Sequence, residues 1–314
     1  MADLKIWFLD VGHGDCAYVQ FPNGARMMID CGAGNNNWPS TLLSHYKITR
    51  ANSPIPVEPN ASKYALDNLV ISHPHGDHIS DIENIHKEIG FYWLTGAYGD
   101  FIDQIDNEKV DFRKREKKAA DYFKKVVKEY NAPYIKEKDR VATNNPCIVK
   151  KERFLSFNSE IDFNNMSWLV SIEIGGEKTL FTGDLTGQGV TEILKSAKRD
   201  NFVEFVKGTT ILKVPHHGRE NGCSEELFKA FGAKPKLCIV SDEILSEKNE
   251  GTSDINWYEH RTAGFLVDGK KPERKVLTTR SDKDIFVSVS KTGTMQVQTN
   301  CFKDIREKLL KGAN

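Results

Sequence analysis

Six consecutive residues, His73-Pro74-His75-Gly76-Asp77-His78, follow directly on the short apolar run Leu69-Val70-Ile71-Ser72. Three imidazoles and one carboxylate are therefore delivered together where a buried strand stops. These are the donors that Zn²⁺, Mn²⁺ or Fe²⁺ take. The chain has nine histidines in 314 residues, so three in six positions is a grouping that chance rarely produces. A chain carrying such a loop must fold so that a strand end opens onto a site, with other elements bringing the remaining ligands to it.

Two later strand ends offer them. Residues 178–182 read as a strand that runs into Gly183-Asp184, where the carboxylate either bridges cations or caps the segment that follows. Residues 210–214 read as a strand leading through Pro215 to His216-His217-Gly218. One of that pair can ligate while the other contacts substrate or moves a proton, and the alternative is a packed histidine. Strand ends at 72, 183 and 215 thus each carry ligand chemistry.

The rest of the chain fits one composite domain. Strands are expected at 4–9, 16–21 and 25–29, with Asn23-Gly24 as the hairpin turn between the last two. A helix is expected near 79–89, a strand at 91–94, strands at 168–174 and 236–241, and helices near 189–197 and 224–231. The tail reads as strands at 275–279, 285–290 and 295–298 before a helix at 302–310. Residues 101–137 form a charged insertion with helical spacing at Ala119, Phe123, Val126 and Val127. Within 108–137, ten Lys/Arg face six Asp/Glu, which either solvates the helix or meets a phosphate-bearing partner.

Charge narrows the function classes. Forty-four basic residues balance forty-four acidic ones, which excludes a strongly basic nucleic-acid coat but not a local basic patch. No run of eighteen apolar residues is present, the first ten residues make a poor secretory leader, and the six cysteines contain no CxxC pair. The expectation is a cytoplasmic chain with free thiols and no membrane insertion.

The motifs together resemble the metallo-β-lactamase superfamily, whose signature is HxHxDH with a later Asp and a later His. Within it the chain is most similar to the ComEC/Rec2-like competence hydrolase domain. That closer likeness rests on Val11-Gly12-His13-Gly14-Asp15-Cys16, Met28-Ile29-Asp30-Cys31-Gly32, Phe181-Thr182-Gly183-Asp184, Lys213-Val214-Pro215-His216-His217-Gly218 and Tyr258-Glu259-His260. The resemblance implies a four-layer αββα sandwich, an α+β fold of two mixed sheets flanked by helices, spanning residues 1–314 as a single domain.

It also implies two divalent metal ions, Zn²⁺ or Mn²⁺. His73 and His75 would hold the first, Asp77, His78 and His216 the second, and Asp184 would bridge them. The superfamily's usual third histidine of the first site is missing, since no histidine lies between His86 and His216. Polar residues stand near its place, at Asn164-Asn165-Met166-Ser167, so the first site is expected to be the weaker.

The reading that follows is a metal-dependent phosphodiesterase or nuclease, in which a metal-bound hydroxide attacks phosphorus. Asp77 would orient it, and His217 or His260 would assist as hydrogen-bond or proton donor. Asp15 either braces a ligand or makes a turn. His13, where the family usually has Gln, either faces the site or braces its turn. Lys213 either approaches phosphate or points to solvent. Arg280 either contacts phosphate or sits in an edge-strand turn. DNA or a nucleotide-type phosphodiester is the expected substrate, with a protein partner left open. The alternatives are hydrolysis of a small ester, amide or thioester, or a non-enzymatic metal-binding regulatory role.

Overall fold

The computed structural model describes residues 2–34, 37–52, 64–96, 114–130, 141, 144–155, 163–243 and 254–312. Fifteen strands are described: β1 Leu4–Phe8, β2 Ala17–Gln20, β3 Arg26–Ile29, β4 Leu66–Val70, β5 Phe91–Thr95, β6 Ile148–Glu152, β7 Leu169–Ile174, β8 Glu177–Phe181, β9 Ile211–Lys213, β10 Leu237–Val240, β11 Phe265–Val267, β12 Lys270–Arg274, β13 Val276–Thr278, β14 Ile285–Val289 and β15 Met295–Gln298. One sheet has the order β15-β14-β1-β2-β3-β4-β5 and the other β13-β10-β9-β8-β7-β6, with β11-β12 as a separate two-stranded ribbon.

The two large sheets pack face to face. Alternating residues Leu4, Ile6 and Phe8 of β1 meet Val170, Ile172 and Phe181 of the opposite sheet in one apolar cluster. The Phe8 and Phe181 rings stack across the interface at 5.5 Å. Each sheet's other face is covered by helices. On the first, Leu66, Leu69 and Phe91 pack with the apolar face of helix Lys114–Tyr130. On the second, Leu180, Leu212 and Val240 pack with helices Gly187–Lys195, Arg199–Val206 and Glu225–Phe231. This is the four-layer αββα sandwich that the motifs implied.

Strand direction decides where chemistry gathers. β3, β4 and β5 run parallel, and so do β8, β9, β10 and β13. Parallel neighbours end on the same edge of a sheet. Both sets of C-terminal ends meet at one rim of the sandwich, which carries Asp30, Ser72, Asp184, His216 and Ser241 in turn.

The charged segment takes a more specific place than a solvated appendage. Ala120, Phe123, Val126 and Val127 of helix Lys114–Tyr130 are buried, and the helix packs against Gly76–Ile79 and Ile82–Asn84. It therefore backs the loop that holds Asp77 and His78. Of the expected insertion at 101–137, residues 101–113 and 131–137 lie outside the described residues. The expected helix at 79–89 is broken into Gly76–Ile79, Ile82–Asn84 and a π turn at Ile85–Ile89. All six cysteines are free, and four are buried. Among the described residues no helix is long and apolar enough to cross a membrane.

Candidate metal centre

After β4, Ser72 and His73 leave the sheet and Gly76–Ile79 winds into one helical turn, so His73, His75, Asp77 and His78 face inward within a short span. The turn is pinned through the Asp77 carbonyl, which accepts the Asp15 N–H at 2.9 Å. A Cβ on Gly32 would stand 1.7 Å from that same oxygen, so only glycine fits there.

Three groups of donor atoms converge among the described residues, each with its atoms within 4.8 Å of one another; Asp15, Asp30 and His78 form one, behind the two that share Asp184. Of those two, the first comprises His73, His75 and Asp184, and the second Asp77, His78, Asp184 and His217. Asp184 belongs to both. Its Oδ1 faces His78 Nε2 at 3.3 Å, and its Oδ2 lies 3.7 Å from His73 Nε2 and 3.8 Å from His217 Nε2. In the first group His73 Nε2 and His75 Nδ1 are 3.0 Å apart. In the second, His217 Nε2 lies 3.2 Å from Asp77 Oδ2.

Of the adjacent histidines, His217 enters the second group. Its Nδ1 faces the Ser241 carbonyl at 3.0 Å, which turns Nε2 inward. His216 Nε2 lies at nearly the same distance from Asp184 Oδ2, 3.9 Å, and the difference between the pair is that His217 Nε2 also approaches Asp77. The expectation gave the second set to His216; His217 is in the convergent group, and both imidazoles stand beside Asp184. Both residues hold left-handed backbone, at φ 49° and 53°. Two consecutive non-glycine residues there cost about 1–2 kcal/mol each, and the turn aims one imidazole inward and one to the side.

The donor set fits divalent cations. His78 Nε2 and Asp184 Oδ1 are fully buried and neither has an aligned hydrogen-bond partner, a condition that ordinarily costs stability. Burial pushes the Asp77 and Asp184 carboxyls upward, but His217 and His78 outweigh it and hold both well below the usual carboxylate range. Burial depresses His78 as well, yet Asp184 and Asp30 raise it well above an ordinary imidazole.

Supporting residues surround the donors. Asp30, also left-handed at φ 57°, accepts from Ser72 N at 2.7 Å and Ser72 Oγ at 2.7 Å, and faces His78 Nδ1 at 2.9 Å. It fixes the ring so that Nε2 points at Asp184. Motif comparison placed Asp30 in a matched segment but gave it no task, because nothing in Ile-Asp-Cys shows which strand end it will face. Where the third histidine was expected, Ser167 Oγ donates to the Asn164 carbonyl at 2.7 Å, accepts the Asp184 N–H at 3.0 Å and lies 3.5 Å from His73 Nδ1. Asn165 Oδ1 instead holds Thr186, the N-cap of helix Gly187–Lys195.

Several other candidates take different places. Lys213 neither reaches out of the site nor meets solvent: it is buried, with Nζ 2.6 Å from Asp15 Oδ2. Asp15 also accepts from Ser241 Oγ at 3.0 Å, so it braces the centre. Arg280 lies 3.3 Å from Asp242 Oδ2. His260 is not brought to the cluster. It is exposed on helix Ile255–Arg261, and its Nδ1 faces the Asn256 carbonyl one turn back. His13 does face the site, with Nε2 3.6 Å from Asp77 Oδ2 and its ring 4.9 Å from that of His217. Burial and the nearby His217 lower its pKa to about 4. Arg219, which no motif nominated, donates from Nη2 to His13 Nε2 at 3.2 Å and lies 3.5 Å from His216 Nε2 through Nη1.

Residues 9–241 match the model of the metallo-beta-lactamase superfamily, and the chain belongs to that superfamily, whose members include metallo-hydrolases. It is 27% identical over 244 residues to ComE operon protein 3 of Bacillus subtilis (strain 168). The match takes in 76% of this chain and 28% of that relative, so the chain spans little more than a quarter of its length. Among solved structures it is similar to the metallo-beta-lactamase fold protein YhfI of Bacillus subtilis, with 12% identity, TM-score 0.42, and 94% and 100% of the two chains covered. It is also similar to the hydrolase AbOPH of the beta lactamase superfamily, with 15% identity, TM-score 0.34, and 64% and 71% covered.

Proposed function

We propose that the chain is a hydrolase of phosphodiester bonds that works with two divalent cations. The observation that carries this reading is Asp184, one carboxylate shared by two convergent donor groups. His73 and His75 would hold one cation, Asp77, His78 and His217 the other, with Asp184 between them. Such a pair supplies Lewis-acid polarisation of a phosphoryl oxygen and lowers the pKa of an attacking water.

The chain's own residues do the positioning. Asp30 fixes the His78 ring, the Ser241 carbonyl fixes that of His217, and Gly32 with Asp15 holds the Asp77 backbone. Asp77 keeps 24% of its side chain exposed while His78, Asp184 and His217 are buried, so within its donor group it is the ligand that can also meet an incoming water. His216, which is outside the second donor group, is the residue we assign to hydrogen-bond a substrate or leaving oxygen, a task the sequence offered to His217 or His260.

The substrate we favour is a short or single nucleotide-type phosphodiester. A cleft of about 480 Å³ is lined by residues that follow Asp184 and His217 in the chain, Glu192, Glu220 and Glu226 among them, and by none of the donor residues themselves. Carboxylates beside the centre disfavour a long polyanion running past it. The same cleft favours, as a second reading, a small ester or amide without phosphate. The similarity to ComE operon protein 3, read with the competence-type motifs, supports nucleic acid or its fragments as the source of substrate. A cytoplasmic setting accords with the six free thiols.

A hydrolysis panel with Mn²⁺, Zn²⁺ and Mg²⁺ tests this. It would include single- and double-stranded DNA, RNA, a bis-aryl phosphodiester and a β-lactam, with Asp77→Ala as control. Metal-dependent cleavage of the bis-aryl phosphodiester, lost in the control, is the expected result. No phosphodiester cleavage with any metal overturns the reading.

A further inference from the structure

We propose that Arg219 is the anion-recognition residue of this centre and holds a non-bridging phosphoryl oxygen of the substrate, an assignment that rests on the phosphodiesterase reading for its substrate class. The cations that the sequence offered for this task are already engaged. Lys213 is buried against Asp15, and Arg280 is held by Asp242. Arg219 is different: among the described residues no carboxylate lies within ion-pair distance, and its neighbours are the Nε2 atoms of His13 and His216.

That pairing matters chemically. A guanidinium has five N–H donors in a rigid fork, which matches two oxygens of a phosphate. Imidazole nitrogens orient the fork without bringing the formal negative charge by which a carboxylate would cancel it. Both imidazoles belong to the rim of the metal centre, since His13 lies 3.6 Å from Asp77 and His216 lies 3.9 Å from Asp184. The positive charge is therefore fixed beside the donor groups, two contacts away from Asp77 and Asp184.

The backbone holds it there. Arg219 follows the strained His216-His217 turn directly. Its N–H donates to the His216 carbonyl at 2.9 Å, and its own carbonyl accepts from Gly222 at 2.8 Å. The side chain is half-buried, so it can reach an incoming group while staying supported. Nothing in the HHG motif marks the next position, and only the placement of His13 across the site reveals the residue's role.

The test uses the full chain and the variants Arg219→Gln and Arg219→Lys. Inorganic phosphate is titrated by calorimetry against metal-loaded protein, metal content is checked by elemental analysis, and kcat and KM are measured on the bis-aryl phosphodiester. Arg219→Gln is expected to weaken phosphate binding and lower kcat/KM by about 10–100-fold, with metal content unchanged and partial rescue by Lys. Unaltered phosphate binding in Arg219→Gln overturns the inference. If the wild-type chain cleaves no phosphodiester yet binds phosphate through Arg219, the phosphodiesterase reading fails and the anion site stands. If the wild-type chain binds no phosphate, the anion site fails, whatever the activity.

Discussion

Lys213 Nζ lies 2.6 Å from Asp15 Oδ2, and both side chains are buried under the metal-binding rim. Lys213 ends β9 in one sheet, and Asp15 follows β1 in the other, so this ion pair ties the two layers together where apolar packing gives way to the site. A buried pair contributes little over an apolar substitute, but losing one partner leaves an uncompensated charge. Lys213→Met is therefore expected to destabilise the chain by about 3–5 kcal/mol, with Lys213→Met/Asp15→Asn recovering a large part. Urea unfolding of the wild-type chain and the two variants checks this. Equal losses in the single and double variants would contradict it.

Gly32 is the position least able to change. Its Cβ would collide with the Asp77 backbone oxygen, which cannot move without dragging the Asp77 and His78 side chains. Gly32→Ala is expected to lose bound metal even if the chain stays folded. Elemental analysis together with near-ultraviolet circular dichroism separates the two effects.

Asp30 acts on metal through His78. Asp30→Asn keeps the shape but removes the charge facing His78 Nδ1. Metal affinity is expected to fall about 10–100-fold, as for other residues that orient a ligand. Competition against a chelator of known affinity measures it, and an unchanged constant would sink the assignment.

The adjacent histidines should separate cleanly. His217→Ala is expected to release metal from the second donor group, because its Nε2 belongs there. His216→Ala is expected to retain metal and lose turnover. The reverse pattern in metal content would show that the sequence-based choice of His216 was right.

Asp81 gives a pH signature distinct from the metal centre. Burial raises its carboxyl to about 6, against the hydrogen bonds from Ser40 and Asn84. The folded chain then binds more protons than the unfolded one between pH about 4 and about 6. Stability from this group is fully present below pH about 4 and is lost as pH rises through about 6, at no more than about 1.4 kcal/mol per pH unit. Asp81→Asn is expected to flatten that slope in urea midpoints taken across pH 4–7.

Much of the chemistry was legible in the sequence because it sits at strand ends. The His73–His78 loop, Asp184 and the histidine pair each follow an apolar run short enough to be a strand, and the structure brings them together. Elements without such punctuation were missed. β6 has an exposed, charged pattern, IVKKE, that reads as loop until it pairs with β7. Helix Arg199–Val206 begins without a side-chain cap, which removes the usual start signal. The choice between His216 and His217 depends on which imidazole meets the Ser241 carbonyl, a contact made across 24 residues. Arg219 and Asp30 gain their roles only from partners in distant segments.

The left-handed turn at His216 and His217 also bears on how this protein would respond to selection. Glycine relieves the strain at either position, so a search for heat tolerance alone would favour replacing the histidines one at a time. Each gain would be modest, and each would remove an imidazole from the rim. Variants recovered from such a search are expected to be sturdier and less active together, which makes this turn the place where durability and chemistry pull against each other.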